Sequence, residues 1–426
     1  MKKRFEKIKR VSGELSLTGD KSISHRAVIF SAMASGKSMI TNLSQAQDVI
    51  STMVIMHKLG ASILTKDRKI IIGGMGFKEF KEPSSNLDCG NSGTSARLIA
   101  GLLAAQDFTS TLIGDESLSK RPMKRVIEPL SKMGTEFQSN ENITLPLTVI
   151  PNSKFHNIDY EMPVASAQVK SSILIAGLHC DGETTVIENE QTRNHTEKML
   201  GLSVRFENSK IISSSSSKYY PEAKEYFVPG DISTSAFHIV LTLLTPKSEL
   251  ILKNVSLNPT RTGFIDVLKN MGADISFVDI KTSSNEEYGD VIIKSSSLKN
   301  IQIESQIIPN IIDEIPILTI AGIFAEGDFV IGNAKELRVK ESDRIKSICY
   351  NLNLLGLKVE ESEDGFYVSG EIKNPKMTFE SFGDHRIAMA FSILSMLLDN
   401  GGEVNGFNCV NISNPKFEEQ INSIVT

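Results

Sequence analysis

The sequence predicts an α/β protein built of six repeated units, and two observations carry that prediction. A polar turn, an apolar helix of about three turns, a Gly or Asp break and a β-rich run recur six times along the 426 residues. A second, amphipathic helix alternates with the first, and in five units it ends in a hydrophobe, a glycine and a strand. Units of roughly 70 residues, with helix and strands alternating, are longer than most solenoid repeats and imply α/β modules.

The first unit opens at "GDKSISHRAVIFSAMASGKSMI", where Gly19, Asp20 and Ser22 are turn and N-cap types and Ala27 through Met33 supply the apolar stripe. The other five open at "CGNSGTSARLIAGLLAAQDFTSTLIG", "VASAQVKSSILIAGLHCDGETTVIE", "GDISTSAFHIVLTLLTPKSELILKN", "NIIDEIPILTIAGIFAEGDFVIGN" and "FGDHRIAMAFSILSMLLDNGGEVNG". The alternating helices end at "HKLGASI", "SKMGTEF", "KMLGLSVRF", "KNMGADISF" and "NLLGLKVEE", with Gly60, Gly134, Gly201, Gly272 and Gly356 as expected left-handed caps. The sixth unit is cut short after Gly383, and "KIKRVSGELSLTG" near the start alternates like a strand, so the first residues are expected to complete the last unit. Six units divide into three plus three. The expected domains are residues 1–18 with 229–426, and residues 19–228. The boundary lies near Tyr226 to Asp231, after the serine run Ser213 to Ser217, which reads as a solvated loop.

A chain with 40% hydrophobic and 6% aromatic residues and no tryptophan fits a globular protein with an aliphatic core. A net charge of −5 and a pI near 5.9 argue against a nucleic-acid binder, so any anion site has to be local. "MKKRFEKIKR" is basic but no apolar segment follows, which reads as no secretory signal, and no apolar run reaches membrane-spanning length. Cys89, Cys180, Cys349 and Cys409 are far apart, a pattern of buried thiols in a reducing cytoplasm and not of a zinc site or disulfide framework.

If equivalent helices pack in parallel, their polar first turns face one way. Lys21 and Arg26 sit at a helix start, where cations oppose the macrodipole; the turn is either a solvated basic one or one that an anion completes. The other first turns offer Asn91, Ser92, Gly93 and Thr94; Ser166 and Gln168; Asp231, Ser233 and Thr234; Asp313 and Glu314; and Asp384, His385 and Arg386. Asp231 and Ser233 read as ordinary N-caps. Hydroxyls, amides and free N–H groups suit phosphate or carboxylate, and carboxylates can move protons. "SLSKRPMKRVIEPL" adds Lys120, Arg121, Lys124 and Arg125 around one helix start, and "ELRVKESDRIKSI" adds Arg338, Lys340, Glu341, Arg344 and Lys346 around another. Lys340 and Arg344, four apart, are expected on one helix face with Glu341 at its edge.

Together "GDKSISHR", "GNSGTSAR", "KRPM", "DEIPIL", "RVKESDRI" and "GDHRIAMAF" resemble the 5-enolpyruvylshikimate-3-phosphate synthase family in order along nearly the whole chain. The resemblance implies two domains, each of three α/β units forming an inverse α/β barrel, with the active site in the cleft between them. It also implies transfer of the enolpyruvyl group of phosphoenolpyruvate to the 5-hydroxyl of shikimate 3-phosphate. By the same resemblance Lys21, Ser22, Arg26, Ser166, Gln168, Asp313 and Lys340 bind the phosphoshikimate. Lys21, Asn91, Gly93, Arg121, Gln168, Arg344, His385 and Arg386 bind phosphoenolpyruvate, helped by Lys340. Asp313 accepts the hydroxyl proton, Glu341 exchanges a proton with the methylene carbon, and Lys21 protonates the departing phosphate. No metal or cofactor is implied, and the expected partners are small molecules bound by a cytoplasmic monomer, with no nucleic acid and no membrane.

Three positions depart from the family pattern. "QTRNHTEK" lacks the usual tyrosine and leaves Arg193 to serve the phosphoshikimate; Glu336 stands where an asparagine is common; and "ISNP" removes a C-terminal lysine. The alternatives are a UDP-N-acetylglucosamine enolpyruvyltransferase, whose usual loop cysteine is missing from "GDESLSKRP", an RNA 3′-phosphate cyclase, and a non-catalytic repeat scaffold. "ASGKS" imitates the end of a P-loop but lacks the leading glycine and closes a helix.

Overall fold

The computed structural model describes residues 1–67, 69–373 and 377–426, and its chain falls into two compact units. One holds Gly19–Val228 with Thr282–Glu286 and is called here the 19–228 unit. The other holds Met1–Thr18, Pro229–Lys281 and Glu287–Thr426, and is called the terminal unit because both chain ends lie in it.

In the 19–228 unit the three apolar helices are Lys21–Met33, Gly93–Leu103 and Ala167–Gly177. Ile23 through Met33 are buried without interruption, the polar Ser24, His25, Arg26 and Ser31 among them. A strand follows each helix: Gly36–Thr41, Ser110–Ile113 and Thr184–Glu188. Each such strand pairs antiparallel with the inner strand of a hairpin (Lys69–Gly74, Leu147–Ile150, Lys210–Ser215) and parallel with a short edge strand (Glu225–Phe227, Leu87–Asp88, Asp159–Glu161). The outermost strands are solvent-facing; every residue of Ser203–Glu207 is exposed. Helices therefore lie inside and sheets outside, which makes the unit an inverse α/β barrel.

The terminal unit repeats the scheme around Ile232–Leu244, Ile315–Phe324 and His385–Leu397, followed by strands Glu249–Ser256, Phe329–Ile331 and Gly402–Asn405. Its opening residues serve two of its sheets. Lys2–Phe5 takes the antiparallel place beside Gly402–Asn405 that a hairpin strand fills elsewhere, and Ser12–Ser16 pairs parallel with Glu249–Ser256. Glu225–Phe227, which directly precedes the helix Ile232–Leu244, instead lies in the sheet of the first repeat, beside Gly36–Thr41. Two edge strands are thus exchanged between the units where the chain passes from one to the other. Gly19 stands at one passage, and a Cβ there would run into the Asn42 carbonyl and the Val228 side chain.

The five helix-ending glycines all have positive φ, from +64° at Gly201 to +110° at Gly60. The sixth repeat also has a second helix, Phe417–Ile424, which the pattern missed because it ends in extended Val425 and not in glycine. The serine run is not a solvated loop. Ser213, Ser214 and Ser215 lie in the strand Lys210–Ser215 and are buried, because only small side chains let the helix Ala167–Gly177 approach: a Cβ on Gly177 would strike the Ser215 hydroxyl. All four cysteines are buried free thiols. No single helix among the described residues is long and apolar enough to cross a membrane.

Candidate active site

Within each unit the first turns of the three apolar helices meet, bringing partial positive charge to one place. In the 19–228 unit Gln168 Nε2 donates to Thr94 Oγ1 at 3.0 Å, tying the third helix start to the second. His25 Nδ1 lies 2.8 Å from Thr52 Oγ1, which lies 2.7 Å from Ser95 Oγ, so a chain of side chains joins the first helix to the second. Burial, reinforced by Lys21 and Arg26, holds the His25 imidazole well below its ordinary pKa.

Lys21 Nζ sits 3.0 Å from Asp48 Oδ2. Arg26 is buried, and its guanidinium donates to Thr196 Oγ1 at 2.8 Å, the Ser22 carbonyl at 3.0 Å and Ser171 Oγ at 2.6 Å. Burial pulls its pKa down to about 10, against Glu197, Glu286 and Asp20, while half-buried Arg193 adds to the lowering. Arg121 donates to Asn91 Oδ1 at 2.9 Å, and Asn91 donates in turn to Asp115 Oδ2 at 2.7 Å. A Cβ on Gly93 would come within 2.6 Å of Arg97 Nη1 and 3.5 Å of Arg121 Nη1, so glycine lets two guanidinium groups approach the helix start. Ser166 caps its helix by accepting from Val169 N at 3.4 Å. Arg97, absent from the predicted set, donates to Gln168 Oε1 at 2.9 Å; its place four residues after Gly93 on the same helix was the available signal.

In the terminal unit Arg386 donates to Ser233 Oγ at 2.9 Å and the Asp313 carbonyl at 2.8 Å, and it lies 3.4 Å from Glu314 Oε1. Ser233 also donates to Glu314. Arg344, 1% exposed, reaches three carboxylates: Asp384 Oδ2 at 2.8 Å, Asp313 Oδ1 at 3.2 Å and Glu341 Oε2 at 2.6 Å. Burial pushes its pKa down, but Asp384, Glu341 and Asp313 more than offset that and raise it. Lys340 Nζ lies 3.5 Å from Asp313 Oδ1. Lys340 is not on the helix face the spacing predicted, because the helix begins only at Arg344 with Asp343 as its cap; the two cations meet through Asp313 instead. His385 is buried at the first position of its helix, and Asp384 accepts from Arg386 N at 2.8 Å.

Of the cations predicted around the two second helices, Lys120 and Lys124 pair with Glu116 and Glu128 in solvent, and Arg125 and Lys346 are exposed. Arg338 is turned to Asp343 and Glu361 at 2.8 and 2.9 Å. Among the described residues no cluster of three His, Cys, Asp or Glu side chains has the geometry of a metal site.

The inverse α/β barrel built of three repeated units is the fold of the enolpyruvyl transferases. The enolpyruvyl transferase NikO from Streptomyces tendae shares it, with a TM-score of 0.76 at 12% identity, covering 100% of this chain and 97% of that one. The chain belongs to the EPSP synthase (3-phosphoshikimate 1-carboxyvinyltransferase) family, whose model matches residues 5–421. A 3-phosphoshikimate 1-carboxyvinyltransferase of Petrotoga mobilis is 47% identical over 416 residues, 96% of each chain. The EPSP synthase of Acinetobacter baumannii has a TM-score of 0.87 at 39% identity, covering 100% of this chain and 98% of that one. These matches favour the carboxyvinyltransferase reading over a UDP-N-acetylglucosamine enzyme or a scaffold.

Proposed function

We propose that the chain transfers the enolpyruvyl group of phosphoenolpyruvate to the 5-hydroxyl of shikimate 3-phosphate and releases phosphate. The observation that carries the reading is the grouping of Asp313 and Glu341 around Arg344, with Lys340 and Arg386 also within reach of Asp313. Addition across an enol phosphate needs a base at the attacking hydroxyl and an acid at the methylene carbon, roles filled by Asp313 as the carboxylate and by Glu341 carrying a proton. Asp313 takes the 5-hydroxyl proton as the oxygen bonds to the substituted enol carbon, and Glu341 gives a proton to the methylene. In the second half Glu341 takes a methyl proton back, the carbon–phosphate oxygen bond breaks, and Lys21 protonates the departing phosphate.

The phosphate and carboxylate of phosphoenolpyruvate are bound by Lys21, Asn91, Gly93, Arg121, Gln168, Arg344, His385 and Arg386. Forked guanidinium groups suit both anions. As the anion takes up Arg344, Arg386 and Lys340, it competes with Asp313 and Glu341 for them and leaves the carboxylates available for proton transfer. Ser22, Arg26, Ser166, Gln168, Arg193 and Lys340 hold the phosphoshikimate with Lys21 and Asp313. The enzyme works as a cytoplasmic monomer, a setting that suits four free buried thiols.

Phosphate release is measured with phosphoenolpyruvate plus either shikimate 3-phosphate or UDP-N-acetylglucosamine. Turnover is expected with shikimate 3-phosphate alone; turnover only with the sugar nucleotide overturns the assignment.

A further inference from the structure

The short helix His195–Leu200 opens with three consecutive polar residues that are all buried, an expensive arrangement for so small an element. His195 Nδ1 lies 2.7 Å from Glu286 Oε1. Thr196 Oγ1 accepts from Arg26 Nε at 2.8 Å and donates its own hydrogen to Ser171 Oγ at 2.8 Å. Glu197 Oε1 lies 2.7 Å from Lys170 Nζ, which also meets Glu188 Oε2 at 2.6 Å.

Lys170 and Ser171 are neighbours on the helix Ala167–Gly177, and Thr196 and Glu197 are neighbours on the short helix. The ion pair and the hydroxyl pair therefore form two adjacent rungs between the same two helices. The first rung carries one ammonium and two carboxylates, leaving one negative charge, and Glu197 is the largest electrostatic support of the Arg26 cation. The second rung holds the guanidinium itself. A guanidinium has five N–H donors. Thr196, Ser171 and the Ser22 carbonyl take three of them, one from each nitrogen, and one remains on each terminal nitrogen.

Buried ion pairs contribute little net stability, and apolar residues of similar volume serve a core as well or better. A ladder of this kind is therefore poorly explained as a stabilising device. Its geometry fits a different task, holding one guanidinium plane in a fixed direction. We propose that Thr196 and Ser171, seated on Glu197 and Lys170, are positioning residues that fix Arg26 with two N–H groups presented as a fork to an anionic group of the acceptor substrate. The inference rests on the assignment of Arg26 to the phosphoshikimate made above. It adds that acceptor affinity depends on side chains that do not themselves touch substrate. Thr196 lies 170 positions from Arg26 in sequence, so the dependence crosses from the third repeat to the first.

Steady-state kinetics on the full chain test it with Thr196→Val, Thr196→Ser and Ser171→Ala, with circular dichroism and thermal melts alongside. Thr196→Val keeps the shape but removes both hydrogen bonds, so KM for shikimate 3-phosphate should rise roughly 10–100-fold, while kcat and KM for phosphoenolpyruvate change less than about 3-fold. Thr196→Ser restores the hydroxyl and should return KM to within about 3-fold of wild type. Ser171→Ala should show the same split in weaker form, and the double variant should fall short of the product of the single effects. A folded Thr196→Val with wild-type acceptor KM, or one in which kcat and both KM values fall away together, overturns the proposal. If Thr196→Val does not fold, Ser171→Ala decides by the same criterion. Wild-type protein that fails to turn over shikimate 3-phosphate would instead overturn the substrate assignment, a result read separately from any variant.

Discussion

Arg26 and Arg344 are both buried arginines near helix starts, yet folding shifts them in opposite directions. Arg26 gives its hydrogen bonds to neutral oxygens of Thr196, Ser171 and Ser22, and burial pulls it down to about 10. Arg344 meets Asp384, Glu341 and Asp313, whose combined charge outweighs burial. The 19–228 unit thus holds a cation hydrogen-bonded to neutral oxygens, whereas the terminal unit holds one already surrounded by carboxylates. The first arrangement is suited to binding. In the second, on the proposed reaction, an arriving anion competes with the same carboxylates that move protons.

The largest expected effect bears on that coupling. Glu341→Gln keeps size but removes the transferable proton, so kcat should fall roughly 10²–10⁴-fold with acceptor affinity nearly unchanged. Wild-type turnover in this variant would remove the chemical half of the contrast.

Stability gives the next test. Arg344→Leu leaves three carboxylates without their shared cation and should cost about 3–5 kcal/mol in urea unfolding. Arg26→Leu leaves buried hydroxyls and a carbonyl, at about 1–3 kcal/mol. Equal losses would show that the carboxylates do not set the two sites apart.

Acid separates the units more gently. His25 and His179 in the 19–228 unit and His238 in the terminal unit are held neutral by burial, with His179 and His238 lowered to about 4. Each binds a proton near pH 6.5 when unfolded but not when folded. Stability is therefore complete above pH 6.5 and lost as pH falls from there toward 4, by up to about 1.4 kcal/mol per histidine and pH unit. With two such histidines against one, the 19–228 unit should lose hydrogen-exchange protection more steeply over this window. Matching slopes in the two units would contradict the burial assigned to His25 and His179.

The smallest effect is expected at the exposed Lys124–Glu128 pair beside Arg121. Lys124→Ala should change stability by less than about 0.5 kcal/mol and leave KM for phosphoenolpyruvate unmoved. A raised KM would bring that face of the helix into the binding surface.

The fold was legible because repetition overdetermines it: apolar helices, glycine-ended second helices and β-rich runs reinforce one another in unit after unit. Where one signal dropped out, the reading failed. The helix Phe417–Ile424 has no terminal glycine, and the buried serines of Lys210–Ser215 look like linker because small polar residues serve tight helix packing as readily as solvent. At the site, residues clustered in local motifs were visible. Their supports were not, since Asp48 for Lys21, Asp115 for Asn91 and Thr196 for Arg26 come from elsewhere in the chain. Lys340 and Arg344 escape helical spacing for a related reason, because the helix start lies only at Arg344.

The exchanged edge strands set an order of events during synthesis. Once Phe227 has been made, every strand of the three 19–228 sheets is available, including the Glu225–Phe227 edge. Ser12–Ser16, made far earlier, has no sheet to join until Glu249–Ser256 appears, and Lys2–Phe5 waits for Gly402–Asn405. Strands made early are thus among the last to find their partners, and the three 19–228 sheets can close while they wait. A nascent chain released after residue 230 should already protect the 19–228 amides while its opening residues exchange freely.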